Sequence, residues 1–287
     1  MHQTTEVYHP IDPPVHLDIL SSKPLDPSHP QPTLVYFHGG GLTAGSRHVQ
    51  AQALLPQLLL AEGWAIVCPD YRLLPESGIP EILQDLHELE KWLLQCKAGI
   101  DVSRLVMAGS SAGAFVSLLA LTSWQSVKPR AFYSQYGMVD TAGEWYRRRK
   151  DDTTVFGNIP ASALVEDMFT QYFQPGRLQI TADALAVLVP DSRLGPFISK
   201  SMKAATGVEG PLDLIGASFP PTIIIHGTGD SIVPLSDSRA LQATLQRVNV
   251  QVRLIEAEGA EHGLAPQENY RDALTEAACF LKEHAAI

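Results

Sequence analysis

Residues 104–121 read RLVMAGSSAGAFVSLLAL. An apolar run, a cluster of small residues holding two serines, and a longer apolar run follow one another without a break. RLVMAG (104–109) has the composition of a buried strand, and AFVSLLAL (114–121) reads as a helix too apolar to lie on a surface. Between them, Gly109-Ser110-Ser111-Ala112-Gly113 fits G-x-S-x-G with Ser111 at its centre, in the strand-turn-helix context that gives the pattern meaning. The requirement is steric. The central serine sits in a strained turn that projects its hydroxyl, and the residues two positions away must be nearly bare or strand and helix collide. Ser110 has Ala108 and Ala112 in those places, and their methyl groups count against it. Taken alone, the stretch is also compatible with a glycine-rich turn without chemistry.

The same rhythm runs outward in both directions. Upstream, TLVYF (33–37) and WAIVCP (64–69) read as strands, residues 51–62 as a helix, and residues 80–97 as a helix with Ile82, Leu83, Leu86, Leu89 and Leu93 close to one face. Downstream, AFYSQYG (131–137), TIIIHG (222–227) and VQVRLIEA (250–257) read as strands. Leu241, Leu245 and Val248 mark one helix; Tyr270, Ala273, Leu274, Ala277, Phe280 and Leu281 mark a closing one. The first 33 residues are proline-rich, and pieces such as VHLDIL suit edge strands and turns. Strands alternating with helices imply a largely parallel sheet covered on both faces. Residues 141–217 break the rhythm. This stretch holds Trp145, Tyr146, Phe156, Phe169, Tyr172 and Phe173, with helix-like pieces around 160–173 and 181–189. It is too long for a plain loop and is predicted to be a helical insertion on the sheet, roofing a pocket or packing the sheet down.

The 287 residues suffice for one large α/β domain. A formal net charge of −10 argues against nucleic acid or an anionic membrane as partner. The one basic run, Arg147 to Lys150, is followed at once by Asp151 and Asp152 and reads as a solvated face. No stretch is long and apolar enough to span a bilayer, and the first residues have no basic or apolar leader pattern. Cys68, Cys96 and Cys279 are scattered, so neither a disulfide framework nor a zinc site is expected, and Cys68 in AIVCPD reads as a buried thiol. The expectation is a cytoplasmic protein without metal or cofactor, acting on a small molecule, with a homodimer compatible.

Two further strand ends carry chemistry. His38-Gly39-Gly40-Gly41 follows TLVYF. Its glycines leave backbone N–H groups able to approach a ligand closely, and such donors stabilise the oxyanion of a tetrahedral intermediate. Gly39 and Gly40 are the candidate donors, completed by the N–H of Ala112; Gly41 is read as permitting the turn and His38 as bracing the loop. A nucleophilic serine needs a base, and the base an orienting carboxylate. Of ten histidines, His262 in EGAEHGLAP, just past a strand, is the candidate base. His226 ends a strand but precedes the best acid; the other histidines read as solvated or structural. Asp230 in HGTGDSIVP lies after a strand and before His262, the order expected of the acid. Asp237 is the runner-up, explained by helix capping. Glu256, Glu258 and Glu261 lie too near His262 along the chain to be favoured, and Asp70 and Asp140 look structural.

HGGG (38–41), DYRLLPE (70–76), GSSAG (109–113), HGTGDSIVP (226–234) and EHGL (261–264), in this order, resemble an α/β-hydrolase of the hormone-sensitive-lipase or carboxylesterase type. The resemblance implies an eight-stranded, mostly parallel sheet in one domain over 1–287, a cap at 141–217, and a cofactor-free serine hydrolase with the triad Ser111, Asp230 and His262. The wording FPPTIIIHGTGD is similar to fungal hydrolases associated with secondary metabolism. Ser110 departs from the aspartate that many relatives carry and changes one pocket wall. Leu42, Ser110 and Trp145 are the candidate pocket residues. The implied activity is hydrolysis of a carboxylic ester of a small, largely apolar substrate. Amide or formamide hydrolysis, a biosynthetic acyl transfer, product release, lactone formation or condensation by the same triad, and a small-ligand receptor are the other readings.

Overall fold

A computed structural model describes residues 1–48, 53–74, 76–96, 98–147, 154–155, 159–160, 194–264 and 267–286. In chain order its strands are β1 (His2–His9), β2 (Val15–Ser21), β3 (Gln31–Phe37), β4 (Ala65–Pro69), β5 (Ile100–Ser110), β6 (Phe132–Gln135), β7 (Thr154–Val155), β8 (Ile159–Pro160), β9 (Thr222–Gly227) and β10 (Val252–Ala257). Its α-helices are α1 (Leu54–Ala61), α2 (Ile79–Gln95), α3 (Ala112–Ser123), α4 (Leu194–Thr206), α5 (Leu235–Arg247) and α6 (Arg271–Ala285). Among the described residues eight strands form one sheet in the order β1-β2-β4-β3-β5-β6-β9-β10, and β7 and β8 form a separate pair. From β4 to β10 every neighbouring pair is parallel; β2 runs antiparallel to both β1 and β4.

Alternation along the strands divides the core in two. Val35, Phe37, Leu105, Met107, Phe132 and Ile224 face one side, where α2, α3 and α5 pack. Leu34, Tyr36, Val106, Ala108, Tyr133, Ile223 and Ile225 face the other, under α1 and α6. Both faces are covered, so the central strands are apolar at consecutive positions instead of every second one; TIIIHG in β9 is buried throughout. Helix α3 is correspondingly apolar all round, with buried residues from Ala112 to Ala120.

The edge strand lies elsewhere than expected. VHLDIL forms β2, which is interior and mostly buried. The edge is β1, HQTTEVYH, exposed or half-exposed except at Tyr8. Pairing holds it there, from His2 opposite Ser21 to His9 opposite Val15. Buried Asp18 adds side-chain bonds from Thr5 (2.6 Å) and Gln3 (2.9 Å). Strand β5 also begins earlier than its apolar run, at Ile100.

Of the predicted insertion, the helix-like piece around 160–173 from residue 161 on, the piece at 181–189, and Phe156, Phe169, Tyr172 and Phe173 lie outside the described residues, as do 148–152 of the charged run. The described parts are a 3-10 turn at Glu144–Arg147, the β7–β8 pair, α4 and a 3-10 turn at Pro211–Leu214. Helix α4 packs on α2 and on the 144–147 turn. Among the described residues no helix is long and apolar enough to cross a membrane.

Candidate active site

The turn from β5 into α3 is as tight as the sequence pattern requires. A Cβ on Gly109 would lie 2.2 Å from the Gly113 carbonyl oxygen, and a Cβ on Gly113 would lie 2.2 Å from that of Phe37. Both glycines are therefore fixed by backbone contact, with Ser111 between them. Ser111 has φ 52° and ψ −121°, a conformation that costs about 1–3 kcal/mol for a residue with a side chain. It is held in place by its neighbours. The Ser111 N–H donates to Gln135 O (2.9 Å), and its carbonyl accepts from the N–H groups of Ala114 and Met138 (both 3.0 Å).

Three loops at the carboxyl ends of β5, β9 and β10 meet here. Ser111 Oγ lies 3.2 Å from His262 Nε2, and His262 Nδ1 lies 2.7 Å from Asp230 Oδ2. The two oxygens of Asp230 are occupied on all sides. Oδ1 accepts from the N–H groups of Ile232 (3.0 Å) and Val233 (2.9 Å). Oδ2 faces His262 and, 3.2 Å away, Nε2 of His226. Burial alone raises a carboxyl pKa, but hydrogen bonds from His226 and His262 outweigh it and hold Asp230 well below the usual carboxylate range. The ring of Tyr136 packs edge-on to His262 at 4.7 Å.

His38 braces the glycine loop through a network the sequence only hinted at. Its Nδ1 donates to its neighbour's carbonyl, Gly39 O (2.7 Å), while its own carbonyl accepts from Tyr71 Oη (2.7 Å). The two rings stack at 4.3 Å. In a trans peptide the N–H points opposite to the C=O. Drawing the carbonyls of His38 and Gly39 toward this ring pair therefore sends the N–H groups of Gly39 and Gly40 the other way. By the same geometry the Ala112 N–H points away from the bonded carbonyl of Ser111, at the start of α3 where N–H groups have no intrahelical acceptor. Gly39 abuts the Ser111 turn, since a Cβ there would come within 3.1 Å of Ser111 Cβ. Gly40 has φ +116° and passes over Ala44, leaving 2.0 Å for a Cβ. Burial pushes the His38 imidazole down, which keeps it neutral.

DYRLLPE supplies the rest of this scaffold. Asp70 accepts from the Arg47 backbone N–H (2.7 Å) and pairs with its guanidinium, which also reaches buried Asp18 (3.1 Å). Arg72 pairs with buried Asp85, and the Leu74 N–H bonds Leu42 O (2.8 Å). The less favoured acids have other settings. Glu256 pairs with Arg239, Glu261 accepts from Ser231, and Glu258 is exposed. Asp237 does not cap its own helix, contrary to the sequence reading. Pro234 is the N-cap, and the Asp237 carboxylate instead accepts from the Val139 and Asp140 N–H groups and Tyr146 Oη, at 2.9, 3.0 and 2.9 Å. It pins residues 139–146, at the start of the insertion, to the first turn of α5. Its partners are 91 to 98 positions away, so local spacing gave no signal.

The pocket candidates differ in setting. Leu42 is fully buried at φ 64°. Ser110 is buried beside Gly39. Trp145 is half-buried against the main core. Cys68 is buried as expected.

Comparison with known proteins agrees with this architecture. A family model described as the α/β-hydrolase fold matches residues 34–266. Esterase LipC of Mycobacterium tuberculosis is 28% identical over 260 residues, 88% of this chain and 57% of that protein. The chain thus spans little more than half the length of that relative. An esterase of Gibberella moniliformis is 25% identical over 91% of this chain and 76% of its own length. A thermophilic esterase from Thermogutta terrifontis superimposes with a TM-score of 0.67 at 21% identity, covering 98% of this chain and 93% of that one; at that identity the likeness is one of fold.

Proposed function

The chain belongs to the α/β-hydrolase-fold family, and on that premise we propose that it is a serine esterase acting on a small, largely apolar carboxylic ester. The observation that carries this reading is the unbroken chain Ser111 Oγ to His262 Nε2 (3.2 Å) and His262 Nδ1 to Asp230 Oδ2 (2.7 Å). His262 takes the Ser111 proton as Oγ attacks the ester carbonyl. The N–H groups of Gly39, Gly40 and Ala112 hold the oxyanion, each worth about 3 kcal/mol of barrier. His262 returns the proton to the leaving alcohol, and the same base then activates water to release the acid from Ser111. Asp230 fixes the imidazole tautomer and stabilises its charged form without itself taking a proton.

Residues 141–217 form the cap in this reading, with Leu42, Ser110 and Trp145 as pocket residues. The apolar preference rests on the aromatic content of that segment. Its described start supports a fixed cap base, because Tyr146 is buried and bonded to Asp237. A cytoplasmic location accords with the free cysteines Cys68, Cys96 and Cys279. A role in secondary metabolism rests on the wording of the 219–230 stretch alone.

The test is hydrolysis of short-chain, long-chain and aromatic p-nitrophenyl esters. Wild type should turn over at least one class, and Ser111→Ala should lose several powers of ten in rate. Equal turnover by the variant would sink the assignment.

A further inference from the structure

His226 is a buried histidine that the mechanism does not use. It is fully inaccessible at the end of β9. Its Nε2 lies 3.2 Å from Asp230 Oδ2 and 3.0 Å from the Val233 carbonyl, and its Nδ1 lies 2.7 Å from Ser238 Oγ. Both neighbours of Nε2 can only accept, so Nε2 carries the proton; Nδ1 is then the acceptor for the Ser238 hydroxyl. A buried imidazole beside the triad carboxylate calls for a role, and its place is near the oxygen that His262 also faces.

We propose that His226 is a positioning residue of the triad: its Nε2–H, bonded to Val233 O (3.0 Å), also reaches Asp230 Oδ2 at 3.2 Å, faces that oxygen together with His262, and so limits how strongly the carboxylate holds the His262 proton. The physical basis is competition at one oxygen. A charge-assisted donor draws electron density from the carboxylate, which weakens its pull on the second donor. An oxygen bonded by His262 alone would favour the imidazolium more and leave less free base. The ring also fixes the carboxylate plane, together with the two backbone donors on Oδ1. The inference rests on the triad reading of Ser111, Asp230 and His262. Among the described residues, Glu256 lies opposite His226 in β10 but is paired with Arg239, Glu261 next to His262 accepts from Ser231, Tyr136 packs on His262, and Asp237 is bonded to Tyr146 and the 139–140 backbone.

The test is imidazole ¹H–¹⁵N spectroscopy on the whole protein, with pH titration of His262 in wild type, His226→Phe and His226→Gln. Wild-type His226 should show Nε2–H and an unprotonated Nδ1. His226→Phe removes the donor and should raise the His262 midpoint by about half a unit to one unit. The acid limb of the pH profile for ester turnover or phosphonylation should move with it. A unit below the midpoint the rate should fall about 3- to 10-fold. His226→Gln carries an amide donor of similar reach and should bring the midpoint back toward wild type. The opposite His226 tautomer, or an unmoved His262 midpoint in a folded His226→Phe protein, would overturn the inference. The tautomer needs no variant and so decides even where His226→Phe fails to fold. A shifted midpoint in proteins that neither hydrolyse esters nor label would uphold this coupling and sink the esterase reading instead.

Discussion

Gly113→Ala should damage both stability and chemistry, by amounts that follow from a single distance. The added Cβ would lie 2.2 Å from Phe37 O and 2.6 Å from His38 O, whereas ordinary contact begins at 3.4 Å. Both obstacles are backbone, so no side chain can rotate out of the way. Either α3 lifts from β3 or the end of β3 and the 38–40 loop retreat, in each case by about 1 Å. Overpacking of this kind costs about 1–3 kcal/mol. The displacement also separates the Ala112 N–H from those of Gly39 and Gly40, and a misplacement of 1 Å costs about 100-fold in rate. The assay is urea unfolding together with the second-order rate of fluorophosphonate labelling. Gly216→Ala, whose Cβ would meet nothing within 4 Å, is the control and should change stability by a few tenths of a kcal/mol at most. A Gly113→Ala protein with wild-type stability and labelling would refute the steric basis for choosing Ser111.

Three other outcomes are expected. Asp230→Asn should lower kcat by about 10⁴-fold with little change in KM, because the wrong imidazole tautomer is favoured; since His226 and His262 keep Asp230 ionised far into acid, the acid limb of wild-type turnover should show one ionisation, that of His262. His38→Ala removes the stack on Tyr71 and the bond to Gly39 O, and should cut ester turnover about 10²–10³-fold while leaving a labelled Ser111 detectable by mass. Asp237 has its carboxyl pushed up to about 7 by burial, against the hydrogen bonds from Asp140, Tyr146 and Val139, from an ordinary value of 3.8. The folded state therefore binds this proton more tightly than the unfolded chain, and the associated stability, complete below about pH 4, is lost as pH rises toward 7. Relative to Asp237→Asn, wild type should lose about 2–3 kcal/mol between pH 5 and pH 8 in urea unfolding; parallel stability curves would count against it.

Much of the fold was legible because a sheet covered on both faces needs continuous apolar strands. TLVYF, WAIVCP, RLVMAG and TIIIHG all became strands of it. HQTTEVYH carries no such run; it is an edge strand specified by its partner β2 and by Asp18. The site was legible wherever chemistry is local, as in the glycine spacing around Ser111 and the order Ser111, Asp230, His262. It was not legible where side chains distant in sequence meet. The Tyr71 stack on His38, the Asp237 bonds to 139–146 and the second histidine on Asp230 all depend on how strand ends converge. The position of His226 before Asp230 in the chain counts against it as the base and says nothing against it as a partner of the carboxylate.

The central claim is that Ser111, and not Ser110, is the activated nucleophile. Intact-mass analysis after fluorophosphonate treatment of wild type, Ser110→Ala and Ser111→Ala tests it directly. One adduct on wild type and on Ser110→Ala, absent from Ser111→Ala, is the predicted result. An adduct that persists on Ser111→Ala, or folded wild-type protein that takes up no label, would contradict it.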